Sequence, residues 1–134
     1  MLLVKTKVGP SAIEGTGLFA DEFIPKGTPY WEFVPGFDLV MTKEEIFALP
    51  EPAQKYWELH AYASRYTGRL ILCGDDTRFM NHSRNPNIID SDERKNGEEV
   101  NVAARDIQKG EELTVDYTKF AEPIKPEDRP WLLG

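Results

Sequence analysis

The chain is poor in cysteine and histidine, with one and two of them in 134 residues, and it carries no long apolar run. Cys73 alone makes no internal disulfide and cannot by itself build a structural zinc site. No stretch approaches the ~20 apolar residues that a helical membrane span needs, so no membrane partner is expected. The segment Met1-Leu2-Leu3-Val4-Lys5-Thr6-Lys7 becomes charged too quickly for a signal peptide. Basic residues are also in deficit, 16 Lys and Arg against 23 Asp and Glu, for a net charge of −7. Direct nucleic-acid binding wants a basic footprint and is therefore not expected. The same charge suits a basic partner such as a lysine-rich peptide, or solubility alone. Repeats and linkers are absent too, and the length fits one domain with one core. An intracellular location follows as the expectation, cytoplasmic in a bacterium and nuclear or host-nuclear otherwise.

What is present reads as many short strands with one or two short helices. Leu2–Val8 alternates like a strand that Gly9-Pro10 ends, and Tyr30–Val34 reads as an aromatic strand. Between them Gly15-Thr16-Gly17 reads as a turn whose backbone could approach a ligand, since no Cβ intervenes. It lacks the third glycine and the helical pattern of a dinucleotide site. Thr42-Lys43-Glu44-Glu45 has the capping-box pattern and predicts a helix that stops by Pro50. Ala53 to about Ser64 is the best helical candidate, with His60 a half-buried surface side chain. Arg69–Cys73 reads as a strand. Asn87–Asp90 and Val100–Ala104 read as a hairpin whose tip is Asn96-Gly97, and the charges near that tip (Asp92, Glu93, Arg94, Lys95, Glu98, Glu99) read as solvated. Leu113–Tyr117 is the expected last strand, followed by a tail broken by Pro123, Pro126 and Pro130.

The centre of the chain is Arg78-Phe79-Met80-Asn81-His82-Ser83-Arg84-Asn85-Pro86-Asn87. Pro86 fixes its own φ, holds Asn85 extended, and Asn87 tolerates a turn. The outcome is a polar loop behind a short apolar anchor, able to turn Asn81 and His82 inward. On spacing alone a surface turn, whose Asn and Ser satisfy local backbone groups, is the favoured reading.

Three ordered stretches alter that balance: Gly15-Thr16-Gly17-Leu18-Phe19-Ala20, Arg78 to Ser83 with Pro86-Asn87, and Gly110-Glu111-Glu112-Leu113-Thr114-Val115-Asp116-Tyr117. Together they resemble the SET-domain protein lysine methyltransferases in a nearly minimal form, from about Val4 to Phe120. The resemblance implies a mostly β fold of small sheets around a knot-like C-terminal crossing, with the SET domain over 1–120. The tail 121–134 would pack over the cofactor site or against a partner subunit, which makes a homodimer an expectation as well. The crossing would bring Asn81-His82 beside Asp116-Tyr117.

The activity implied is methylation of a lysine side-chain amine in a protein substrate, a histone tail or another basic protein, with S-adenosyl-L-methionine as cofactor. The implied catalytic residues are Tyr117, its hydroxyl at the methyl and amine region, and Tyr62, lining the lysine channel, with Tyr66 taking that place if the register shifts. Gly15, Thr16, Gly17 and Leu18 would hold the cofactor through backbone groups, completed by Arg78, Asn81, His82 and Tyr117, while Phe120 or Trp131 covers the adenine. Two departures from the family pattern stand out. Arg84 replaces a cysteine that many relatives use for zinc, so no metal is expected. Val115 replaces an aromatic residue that influences how many methyl groups are added. A non-catalytic peptide-binding module of the same fold is the competing reading.

Overall fold

The computed structural model describes residues 1–117. Within them the chain forms ten short strands, two α-helices and one 3₁₀ turn. Strands β1 (Thr6–Pro10) and β2 (Thr16–Ala20) form an antiparallel hairpin in which Gly9 faces Gly17 and Pro10 faces Thr16. Gly9-Pro10 therefore lies inside the first strand, and the expected Gly-x-Gly turn is half strand. Leu2 and Leu3, assigned to that strand by alternation, instead reach Trp31 and Tyr30 of β3 (Pro29–Glu32). Tertiary pairing overrides the local pattern here.

A second unit joins β4 (Leu39–Met41), helix α1 (Lys43–Phe47), helix α2 (Glu51–His60), β5 (Tyr62–Ala63) and β6 (Leu70–Leu72), with the sheet order β4-β6-β5. Thr42 and Glu45 cap α1 reciprocally, as the sequence pattern requires. Helix α2 starts two residues earlier than expected, because Pro52 is tolerated in a first helical turn. It stops at His60 rather than Ser64, since Ala61 turns extended (ψ 159°) and feeds β5. Strand β6 is buried on both faces. Leu70 and Leu72 meet Ile46 and Trp57 of the helices, while Ile71 and Cys73 face the main core of Leu18, Ile24, Tyr30, Phe33 and Ile107.

The 3₁₀ turn Asp76–Phe79 leads into β7 (Asn81–His82). Strands β8 (Ile88–Lys95) and β9 (Glu98–Ala103) then form the expected hairpin, longer than the sequence suggested, and β3 adds to its other edge in the order β3-β9-β8. Asn96 (φ 53°) and Gly97 (φ 80°) both sit in the left-handed region, the turn that matches the twist of a two-residue hairpin. One expectation fails here. Glu98 and Glu99 are fully buried rather than solvated. Glu98 is enclosed by Arg69 (2.7 Å), Thr67 (2.6 Å) and the Ser64 hydroxyl, whereas Lys95 turns outward to Glu32.

The last segment threads between two earlier parts of the chain. On one side Ala20 N–H donates to Glu111 O (2.9 Å) and Leu113 N–H to Leu18 O (2.8 Å). On the other, β10 (Thr114–Val115) pairs parallel to β7, and Ser83 N–H donates to Val115 O (3.0 Å). Buried Asn87 holds the crossing at both ends of its amide. Its Nδ2 donates to Glu112 O (2.8 Å), and its Oδ1 accepts from Thr114 N–H (2.9 Å). The last strand is thus two residues long and ends before Tyr117, shorter than the Leu113–Tyr117 reading.

Candidate active site

The parallel pairing of β7 with β10, Thr114 beside Asn81 and Val115 beside His82, carries the next two residues to the same place. Tyr117 N–H donates to His82 Nδ1 (3.1 Å), and the two rings lie 5.3 Å apart. Nδ1 therefore accepts, and the ring proton belongs on Nε2. Asp116, 3.8 Å from the same nitrogen, is the weaker neighbour in this tautomer. The Tyr117 hydroxyl donates to Met80 O, and the ring is about half exposed (52%). Partial burial, with Glu14 nearby, raises the Tyr117 pKa above its ordinary 10.0. The phenol proton is committed to a carbonyl, so the oxygen's lone pairs are left to accept from other groups.

Asn81 points the other way, into the mouth of the β1–β2 hairpin. Its Nδ2 lies near Ser11 Oγ (3.0 Å), Glu14 O (3.0 Å), Thr16 O (3.4 Å) and Glu112 Oε2 (2.9 Å). The Ser11 hydroxyl also donates to the Glu112 carboxylate (2.8 Å). An amide NH₂ has two protons, so these acceptors outnumber what it supplies. A group with more donors, such as a ligand ammonium, matches the set better. Gly17 lies directly beneath this cluster. A Cβ there would fall 2.7 Å from Glu112 Oε2 and 3.0 Å from Ser11 Cβ, so only glycine fits without displacing the carboxylate. Gly15, at φ 47°, opens onto free space.

The structure sorts the remaining predicted residues. Thr16 offers its carbonyl to Asn81, whereas the Leu18 side chain is in the core and its carbonyl holds Leu113. Arg78 faces α2: its guanidinium donates to the Tyr56 hydroxyl and lies over the Tyr56 ring (5.7 Å), while Nε donates to Asp75 O (3.1 Å). His60 packs between Tyr56 (4.5 Å) and Phe79 (5.8 Å), as a half-buried surface histidine should. Tyr62, on β5 opposite Ile71, packs against the core that also holds Val115 and Met80, the residue that accepts from Tyr117. The link runs through Cys73, beside both Tyr62 and Tyr30, and then through Met80, whose sulfur accepts from the Tyr30 hydroxyl (3.2 Å). Burial first, then Cys73, Glu99, Glu98 and Asp38, pushes the Tyr62 phenol well above 10.0. Tyr66 is exposed and donates to Asp90. Val115 is buried in the main core, and Arg84 is exposed. Phe120, Trp131 and the tail 121–134 lie outside the described residues.

Sequence reasoning missed Ser11, Glu14 and Glu112 in the hairpin mouth and Met80 as the acceptor for Tyr117. Glu112 lies inside the Gly110–Tyr117 stretch without a role there, and no local signal marks Ser11.

A family model described as SET domain matches residues 15–118. The chain is 33% identical over 136 residues to a histone-lysine N-methyltransferase, H3 lysine-4 specific, of Schizosaccharomyces pombe, covering 94% of this chain and 14% of that protein. A protein of the same description from Chaetomium globosum is 34% identical over 138 residues, covering 96% and 12%. Among solved structures, a humanized mutant of the Chaetomium thermophilum Polycomb Repressive Complex 2 bound to the inhibitor GSK126 superposes with a TM-score of 0.62 at 22% identity, covering 90% of this chain and 16% of that one. A Plasmodium falciparum crystal structure gives 0.58 at 22%, covering 87% and 95%. At that identity the two structures establish the fold alone. The domain defined by the threaded strand and its two flanking motifs is thus a SET domain. The chain belongs to the SET-domain family, and it spans about a seventh or less of the two fungal relatives.

Proposed function

We propose that the chain transfers a methyl group from S-adenosyl-L-methionine to the side-chain amine of a lysine in a protein substrate. The observation that carries the proposal is the meeting of Tyr117 with Asn81-His82 beside an acceptor-rich hairpin mouth. The acceptors around Asn81 (Glu14 O, Thr16 O and the Glu112 carboxylate) suit the cofactor's amino-acid ammonium, with Gly15 leaving room for it. When bound, the cofactor supplies a methyl group on a sulfonium, activated for in-line attack by a neutral amine.

The chain's own residues have two tasks. One is to favour the neutral amine. With a reference pKa of ~10.4, lysine needs roughly 4–5 kcal/mol to lose its proton at neutral pH. The apolar wall around Tyr62, Tyr30 and Cys73 lowers that cost, because desolvation disfavours the ammonium. The other is alignment, worth up to ~7–11 kcal/mol for well-held reactants. Tyr117 serves it by offering its oxygen lone pairs while Met80 fixes its proton. Its raised pKa keeps the phenol protonated, so it orients and polarises and is not a general base. The net charge of −7 and the names of the relatives favour a basic protein as substrate, a histone tail among the candidates.

The test is methylation of a lysine peptide array, read by mass spectrometry, followed by rates on one confirmed peptide at saturating cofactor. Tyr117→Phe keeps the ring and removes one oxygen. Its rate should fall by about 10²-fold, roughly 2.7 kcal/mol, with cofactor affinity nearly unchanged. Retention of most of the rate would reduce Tyr117 to a structural role. Cofactor binding with no lysine methylated would favour the peptide-binding module instead.

A further inference from the structure

We propose that Asp90, Tyr66 and the buried Glu99 form a recognition pocket for a cationic side chain of the substrate, next to the lysine that is modified. The pocket rests on the lysine-methylation reading given above. Glu99 is fully buried, and neither carboxylate oxygen has a hydrogen-bond partner. No other carboxylate among the described residues is in that position. Its neighbour Glu98, on the opposite face of β9, shows what a satisfied acid looks like here, held by Arg69, Thr67 and Ser64. A buried unpartnered carboxyl is costly, so a strand that keeps one is built for a group that arrives later.

The groups around Glu99 come from three directions. Asp90 and Arg94 belong to β8, with Arg94 its direct cross-strand partner, and Glu98 is on its own strand. Tyr62 belongs to β5, and Arg65 and Tyr66 to the loop between β5 and β6. The mouth already holds a cation. The Arg94 guanidinium lies 3.8 Å over the Tyr66 ring, whose hydroxyl donates to Asp90. Arg94 grips Asp90 loosely, at 3.4 Å, and its short bonds go to Ser91 O (2.6 Å) and Glu93 O (2.7 Å). The slot thus displays its preferred ligand chemistry, a planar cation between an aromatic face and a carboxylate. A substrate guanidinium that displaces Arg94 gains the aromatic face and Asp90, and reaches the acid beneath. Burial, reinforced by Asp90 and Glu98, raises the Glu99 pKa to about 8, with Arg94 and Arg65 opposing. At neutral pH the acid is mainly protonated. It gives that proton to the buffer when the cation binds. Because Tyr62 is adjacent, the recognised side chain lies within a few residues of the modified lysine.

The experiment compares two peptides that share the target lysine, one with arginine at flanking positions and one with glutamine there. Glu99→Gln keeps the shape and removes the acid. Its KM for the arginine peptide should rise about tenfold with kcat unchanged, and its KM for the glutamine peptide should stay within about twofold. Asp90→Asn should act in the same direction, and Arg94→Ala should lower the arginine-peptide KM. Calorimetry in two buffers of different ionisation enthalpy should show more proton release on binding the arginine peptide than the glutamine peptide to wild type, and no such difference with Glu99→Gln. Equal effects on both peptides, or a proton-release difference between the two peptides that persists in Glu99→Gln, would overturn the pocket. If no lysine is methylated yet the arginine peptide still binds with Glu99-dependent proton release, the pocket stands and the methylation reading falls.

Discussion

Glu99 links residue chemistry to the stability of the whole domain. Its carboxyl holds a proton in the folded protein up to about 8, against an ordinary value of 4.5. Between those values the folded chain binds a proton that the unfolded chain has released. The Glu99 contribution is therefore present in full below about 4.5 and is lost as pH rises through about 8. Wild type should lose stability relative to Glu99→Gln across this window, by at most ~1.4 kcal/mol per pH unit. Denaturant midpoints of both proteins at pH 5.5 and pH 8.5 check the sign. A constant difference between them would show that Glu99 ionises in the folded state as it does in water. Tyr117 is the contrasting case, since its hydroxyl is tied to Met80 O and its effect should show in rate rather than in stability.

Among the elements, β10 matters most, and at two residues it has little hold of its own. Its position depends on Asn87, whose amide engages Glu112 O and Thr114 N–H on either side of Leu113. Asn87→Ala leaves a buried carbonyl and a buried N–H without partners, at about 1–3 kcal/mol each. The expected outcome is roughly 2–6 kcal/mol lower stability, together with weaker cofactor binding, because Asn81 and Tyr117 are brought together by the same crossing. Chemical denaturation and calorimetry measure the two effects. An intact midpoint would mean that the β7 pairing alone holds the strand. The sequence already contained this device as Asn-Pro-Asn, but it read as a turn. A turn residue and a clamp for a strand 27 positions away look identical until the strand is placed.

For the whole molecule, the balance of 16 basic against 23 acidic residues sets how it meets a substrate. A domain with net charge −7 attracts a basic peptide over a range that salt shortens to about 8 Å at physiological ionic strength. The KM for a lysine- and arginine-rich peptide should therefore rise several-fold between about 0.05 and 0.3 M salt, with kcat little changed. Steady-state rates on a basic and a neutral peptide, each over that range, check it. A parallel response of the two would mean that charge plays no part in recognition.

Some of this protein is determined by neighbours a few residues apart, and that part the sequence carries by itself. The Thr42–Glu45 capping box, the Asn96-Gly97 turn and the mostly β character with short helices all depend on local dihedral preference and local hydrogen bonds. The three ordered motifs carry the family for the same reason, being contiguous strings. Tertiary structure decided the rest. It moved β1 toward Gly9-Pro10 because β2 pairs there, and it ended α2 at His60 so that β5 could join β6. It turned Arg78 toward Tyr56 and gathered Ser11, Glu14 and Glu112 around Asn81. It also buried Glu98 and Glu99, which by composition belong in water. Burial is a property of what packs against a residue, and here the packing partners are tens of positions away. No spacing rule within a hairpin reveals that Arg69 will enclose one glutamate while its neighbour is left facing Asp90.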